Sequence, residues 1–467
     1  MPPINYGDTA WVLASSALVL LMTPGLALFY GGMVRTKSVL NMLMMNFVTI
    51  SVVSILWVFY GFSLSFTTDK FHGLIGGSDY YGLRGAFGAS TTTAGHGTPI
   101  FAFAAFQLMF AIITPALISG AIADRARFGP WVIFVAAWTT IVYFPVAHWV
   151  FFFDNGNGGW ISDRLKAFDF AGGTAVHVNA GAAALALALV LGRRIGWPKE
   201  KFKPHNVPMV LTGAALLWFG WFGFNAGSAL AANHQSAFAF INTQVATGAA
   251  LLGWIFVEWI RDGKPTALGG ASGAVAGLVA ITPACATVEP MGAIALGLVA
   301  GAICAVAVGL KYKLGFDDSL DVVGVHLVGG ATGALLIGLL ATAAAPGIDA
   351  VTDNKWSITS ATGGVNGLLY GGGFAQLGRQ AIAVLAVGAY SFVFAWLIGM
   401  AIEKTIGFRV KPEAETEGVD TTEHAESAYD FGVSSAAPGG FALAGVGAGK
   451  AVGSGAATEP VSEEVAG

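Results

Sequence analysis

The sequence predicts an all-α, polytopic membrane protein of eleven transmembrane helices, and three observations predict it. Of 467 residues, 55% are hydrophobic and only 11% are charged, with a mean hydropathy of +0.69, whereas a soluble domain carries about 25% charged residues. The charges are clustered: long stretches have none and short connectors hold most of them. Apolar runs near the roughly 20 residues that cross a hydrocarbon core recur along the whole chain. The net charge of −4 is small and argues against nucleic acid as a partner.

In order, the runs are 9–33, 39–66, 99–123, 130–153, 172–192, 207–230, 236–260, 266–285, 290–310, 321–343 and 377–403. The run at 266–285 is Gly-rich and short for a span. Met1 to Asp8 contains no Lys or Arg. It lacks the basic n-region of a signal peptide, so the first run is read as a true span. Gly172, Gly173, Gly181, Gly329, Gly330 and Gly333 lie inside spans, and small residues at that density let membrane helices approach closely. Placing the N-terminus outside puts sixteen Lys and Arg in the inner connectors and proximal tail against six on the other side, the bias expected of an inner membrane protein with a cytoplasmic C-terminus. Residues 1–411 thus form the membrane domain. An acidic segment at 412–430 reads as an ordered cytoplasmic appendage or docking segment, and a Gly-, Ala- and Ser-rich tail at 431–467 reads as disordered by composition. Cys285 and Cys304 both sit in apolar runs, which suits small core residues better than a disulfide or metal framework.

Ionisable groups inside spans are expensive and therefore candidate functional residues. His177 lies in DFAGGTAVHVNAG, His326 in DDSLDVVGVHLVGG, and His148 in FPVAHWV. The first two share a pattern: an Asp eight residues upstream (Asp169, Asp318), a Val just before, and small residues after. One falls in the fifth run and the other in the tenth. A five-plus-five inverted repeat would bring them together near the bilayer midplane. Two neutral imidazoles can share one hydrogen bond, giving a polar strip inside an apolar tube that suits a small neutral polar molecule or a hopping proton. Phe106 and Phe110 share a helix face, and Phe224 precedes Asn225, Gly227 and Ser228 at the outer end of the sixth run. An aromatic face with a hydroxyl is a cation receptor worth roughly 2 kcal/mol. Stripping an ion of all its water costs tens of kcal/mol, so an ion arriving there stays partly hydrated or gives up a proton. Asp169 and Asp321 are expected to cap the helices they precede. No P-loop is present, and His72, His96, His205 and His234 fall in connectors without ligand spacing.

The motifs DFAGGTAVH, GWFGFNAGSA, FKPHNVPMVLTGAALLWFGW, GLVAITPAC and DVVGVHLVGG closely resemble those of the ammonium transporter family (Amt/Mep/Rh), on its bacterial side. The resemblance runs from about residue 5 to 430. It implies a homotrimer of eleven-helix protomers that transports ammonium and methylammonium, without a cofactor and without enzymatic activity. Carried over by motif, His177 and His326 are the twin histidines, and Phe110 and Phe224 the phenylalanine gate. Phe106, Ser228 and Asp169 belong to the outer recruitment site, and Thr282 lies beside the pore. Where the family usually has Trp in the outer cage, AHWVF offers Phe151, with Trp149 two positions away; Phe gives a weaker cation–π surface. The resemblance also implies a P-II nitrogen-regulatory partner on the cytoplasmic face. Three other readings stand beside transport: a membrane ammonium sensor with little flux, a metal or haem enzyme using His148, His177 and His326, and a Rh-like gas channel.

Overall fold

The computed structural model describes residues 4–93, 96–154, 156–200, 202–345 and 365–429. Among these residues eleven apolar helices follow one another: α1 (Tyr6–Met33), α2 (Thr36–Phe66), α3 (Ile100–Ile122), α4 (Phe128–Phe151), α5 (Gly173–Leu191), α6 (Val207–Gly227), α7 (His234–Asp262), α8 (Ala267–Ile281), α9 (Pro290–Leu314), α10 (Val323–Leu340) and α11 (Ala375–Thr405). Ten of them have the length and hydropathy of a membrane span, and each of the eleven predicted runs matches one helix. A two-stranded antiparallel hairpin, β1 (Ser90–Thr93) and β2 (His96–Pro99), interrupts the long connector before α3.

The short run is the exception that the residues explain. Helix α8 has 15 residues, begins where Thr266 Oγ1 accepts the Gly269 N–H at 2.8 Å, and stops before a turn at Thr282–Thr287. Irregular backbone at membrane depth needs protein partners. The buried Asn242 of α7 supplies them, donating to the carbonyls of Cys285 and Val288, both at 2.8 Å.

Close approach between helices depends on small residues, as the Gly content predicts. A Cβ on Gly333 of α10 would overlap the Ala280 carbonyl of α8, and one on Gly301 of α9 would overlap the Ala250 carbonyl of α7. Helix α1 packs along α6, α7 lies against α8 and α9, and α11 lies against α5. Cys285 and Cys304 are fully buried, unpaired core residues.

Charge gathers at one end of the bundle. Arg194 pairs with Asp317 at 2.9 Å and with Asp124 at 3.1 Å, and Arg35 lies 3.4 Å from Asp124. Burial pushes the Asp124 carboxyl up, but Arg194 and Arg35 outweigh it and hold it below its ordinary value. Against this cluster dock two short helices of the acidic segment, α12 (Pro412–Glu417) and α13 (Val419–His424). Glu415 reaches Arg409 at 2.7 Å and the Ile195 N–H at 2.7 Å. Asp420 accepts the N–H groups of Leu40 and Asn41, in the first α-helical turn of α2 after its 3-10 opening at Thr36–Ser38, and Glu423 accepts that of Phe128 at the start of α4. The tail expected to be disordered, 431–467, lies outside the described residues.

Candidate functional site

His177 and His326 sit on π-helical turns, Gly173–Val178 and Val323–Leu327, at the starts of α5 and α10. Such turns shift the side chains that follow and recur at functional sites. Each turn is anchored by the Asp eight residues before its His. The two oxygens of Asp169 accept the N–H groups of Gly172, Gly173, Thr174 and Ala175 at 2.6–2.9 Å, with Gly172 in the left-handed region at φ 112°. Asp318 accepts those of Val322 and Val323 at 3.1 and 2.7 Å.

The second cap corrects an expectation. Asp321 does not cap α10: it adopts φ 64° and pairs with Lys311 at 2.6 Å. A capping side chain reaches back from extended backbone; with φ at 64° the Asp321 carboxylate turns to Lys311 instead, and Asp318, three residues earlier, takes the free N–H groups. The expected cap at Asp169 forms, but with both oxygens taken up by backbone and the residue only 4% exposed. Its carboxylate faces the start of α5.

His177 and His326 meet. Their Nδ1 atoms are 3.2 Å apart and their ring centroids 5.3 Å, with the planes 20° from parallel. One Nδ1 donates and the other accepts, so the pair shares a single proton. Both rings are almost fully buried, and Nε2 of His177 has no hydrogen-bond partner in the protein. Gly330 of α10 allows the approach: a Cβ there would lie 2.8 Å from the Gly173 carbonyl and 3.0 Å from His177 Cβ.

On one side of His177 the rings continue as a file. Phe224 lies 6.0 Å away, Phe110 stacks on Phe224 with centroids 4.2 Å apart, and Phe106 meets Phe110 edge-on at 5.0 Å. Phe151 contacts Phe110 edge-on at 6.5 Å. Ser228, where α6 ends, donates its hydroxyl to the Phe224 carbonyl at 2.8 Å. Trp149 is turned away and donates to the Leu74 carbonyl at 2.8 Å, so it does not replace a cage tryptophan. His148 is likewise elsewhere: its Nδ1 donates to the Ser65 carbonyl at 3.0 Å and its Nε2 lies 3.5 Å from Asp69. Among the described residues no three His, Cys, Asp or Glu side chains are placed to hold a metal.

One residue of the file escaped the sequence reading. Trp221 stacks on His177 at 5.3 Å, 17° from parallel, and donates its indole N–H to Thr282 Oγ1 at 2.8 Å. Thr282 passes the bond on to the Leu278 carbonyl at 2.7 Å, so it reaches the histidines through Trp221. The signal was present, since Trp221 stands three residues before Phe224 and shares its helix face.

The sequence profile of the Ammonium Transporter Family matches residues 10–429. The ammonium transporter of Mycobacterium tuberculosis (strain ATCC 25618 / H37Rv) is 57% identical over 447 residues, covering 92% of this chain and 91% of its own. That of Bacillus subtilis (strain 168) is 44% identical over 427 residues, covering 91% and 99%. The crystal structure of Candida albicans Mep2 superposes with a TM-score of 0.79 at 35% identity, covering 88% of this chain and 87% of that one. A structure described as a sensor Amt protein gives 0.78 at 29% identity, covering 90% and 98%. With the profile spanning nearly the whole described chain, this multi-pass membrane protein belongs to the ammonium transporter family.

Proposed function

We propose that the chain recruits ammonium at the outer end of α6, removes its proton there or just inside, and passes ammonia through the Phe110–Phe224 constriction and along His177 and His326. The observation that supports this most is the buried imidazole pair at 3.2 Å, reached through a file of aromatic rings. A bare cation would leave its water for ring faces worth roughly 2 kcal/mol, against a desolvation cost of tens of kcal/mol. A neutral molecule avoids that cost, and the unpartnered Nε2 of His177 offers it a hydrogen bond. Phe106, Phe151 and Ser228 form the recruitment site, with Asp169 holding the α5 start beneath it; Phe151 in place of Trp weakens capture. Thr282 supports the pore wall through Trp221. The protein works as a homotrimer in the inner membrane, N-terminus outside and C-terminus cytoplasmic. Its cytoplasmic face, with the 412–430 segment, is the docking place for a P-II protein.

Replacing both histidines with apolar residues and recording methylammonium uptake and ammonium-evoked current in liposomes tests the reading. Uptake and current both change; if neither does in folded protein, the pair has no part in transport. A second reading, an ammonium sensor, draws on the likeness to the sensor Amt protein. It predicts ligand binding with no flux in the same liposomes.

A further inference from the structure

Helix α11 stands outside any five-plus-five repeat, yet it carries two buried glutamines inside its apolar length: Gln376 is 0% and Gln380 1% exposed. A polar side chain at that depth is costly unless every group is matched. All four bonding positions of the Gln380 amide are filled. Its Oε1 accepts the Phe168 N–H at 2.6 Å and the Gln376 Nε2–H at 3.0 Å. Its Nε2 donates to the Phe168 carbonyl at 2.7 Å and to the Ala334 carbonyl at 3.1 Å. Gln376 also donates to the Lys166 carbonyl at 3.3 Å.

These partners are the irregular backbone that leads into α5. Between Leu165 and Gly172 the chain is not helical, and Phe168 is buried, so its polar groups need protein partners. Phe168 finds both of its partners in one side chain. The next residue, Asp169, is the one whose carboxylate anchors the His177 turn. The fourth bond of the same amide goes to Ala334, two turns beyond His326 on α10. A single amide therefore ties the approach to one histidine helix to the body of the other.

We propose that Gln380 is a positioning residue for transport, setting the His177 turn against the His326 helix by pinning Phe168. This inference rests on the reading of the two histidines as the conducting strip.

The test uses the full-length protein in liposomes, with uptake expressed per folded protein. Gln380→Leu removes all four bonds and lowers the maximal methylammonium rate by roughly tenfold, less than the roughly hundredfold that a 1 Å misplacement of a working group can cost, while the half-saturating concentration changes less. Gln380→Glu supplies the decisive second arm. As a neutral acid its O–H donates to the Phe168 carbonyl while its C=O accepts the Phe168 N–H; as a carboxylate it cannot donate. The rate of Gln380→Glu relative to the unaltered protein therefore rises as pH falls. A role in stability alone changes the yield of folded protein and leaves the rate per folded molecule and its pH profile unmoved. A wild-type rate in Gln380→Leu, or a relative rate of Gln380→Glu that is flat with pH, overturns the proposal. If the double histidine replacement itself transports normally, the underlying reading fails instead, whatever the glutamine variants do.

Discussion

The two histidine-bearing turns share a plan and differ in how firmly it is executed. Each places an Asp eight residues before its His and opens a π-turn beneath the ring. At the α5 turn Asp169 gathers four backbone N–H groups, and Gln380 secures the residue before it. At the α10 turn Asp318 gathers two, in company with Lys311 and Asp321. Halves that carry the same motif can thus divide the labour: one turn is fixed by neutral backbone and amide bonds, the other is left coupled to titratable neighbours.

The largest expected effect tests the firm side. Asp169→Ala orphans four buried N–H groups and costs at least about 4 kcal/mol, enough to abolish accumulation of folded protein, measured by detergent-extracted yield and thermal unfolding. Asp318→Ala orphans two and costs about 2 kcal/mol. Equal losses in the two variants break the comparison. The titratable side is sharpened by pH. Burial is the main cause that pushes the Asp318 carboxyl up to about 6 from its ordinary 3.8, with Lys311 opposing it. The folded protein then holds this proton more tightly than the unfolded chain. Its contribution is most favourable below about pH 4 and declines as pH rises to about 6, by on the order of 3 kcal/mol. Unfolding midpoints across that window fall with rising pH in the unaltered protein and fall less steeply in Asp318→Asn. The smallest effect concerns the seam between the turns. Gly330→Ala puts a methyl against the Gly173 carbonyl and His177 Cβ; about 1 kcal/mol of strain lowers stability slightly and methylammonium uptake more.

Most of this arrangement was legible before any coordinates. Length and hydropathy mark the helices because a span must be apolar for its whole crossing, and even the brevity of α8 shows in the Gly-rich run. The Asp–His spacing pointed to Asp318 as well as Asp169. Yet proximity in sequence favoured Asp321 as the cap, because neither its left-handed backbone nor its pairing with Lys311 can be read from the residue types. Trp221 and Gln380 were passed over for a different reason. A tryptophan in an apolar run looks like filler, and a glutamine is uncharged, so neither raised the signal that a buried ionisable group does. Their importance lies in what they touch across the bundle: Trp221 against His177, Gln380 against Phe168 and Ala334.

The acidic helix α13 caps the beginnings of helices made long before it. Asp420 serves the first α-helical turn of α2, and Glu423 the start of α4. During synthesis those two helix starts wait until all eleven helices have been made. A chain stopped ahead of position 420 contains the sequence of all eleven helices and still lacks these caps, so the finish of the earliest helices is written into a stretch made after the last.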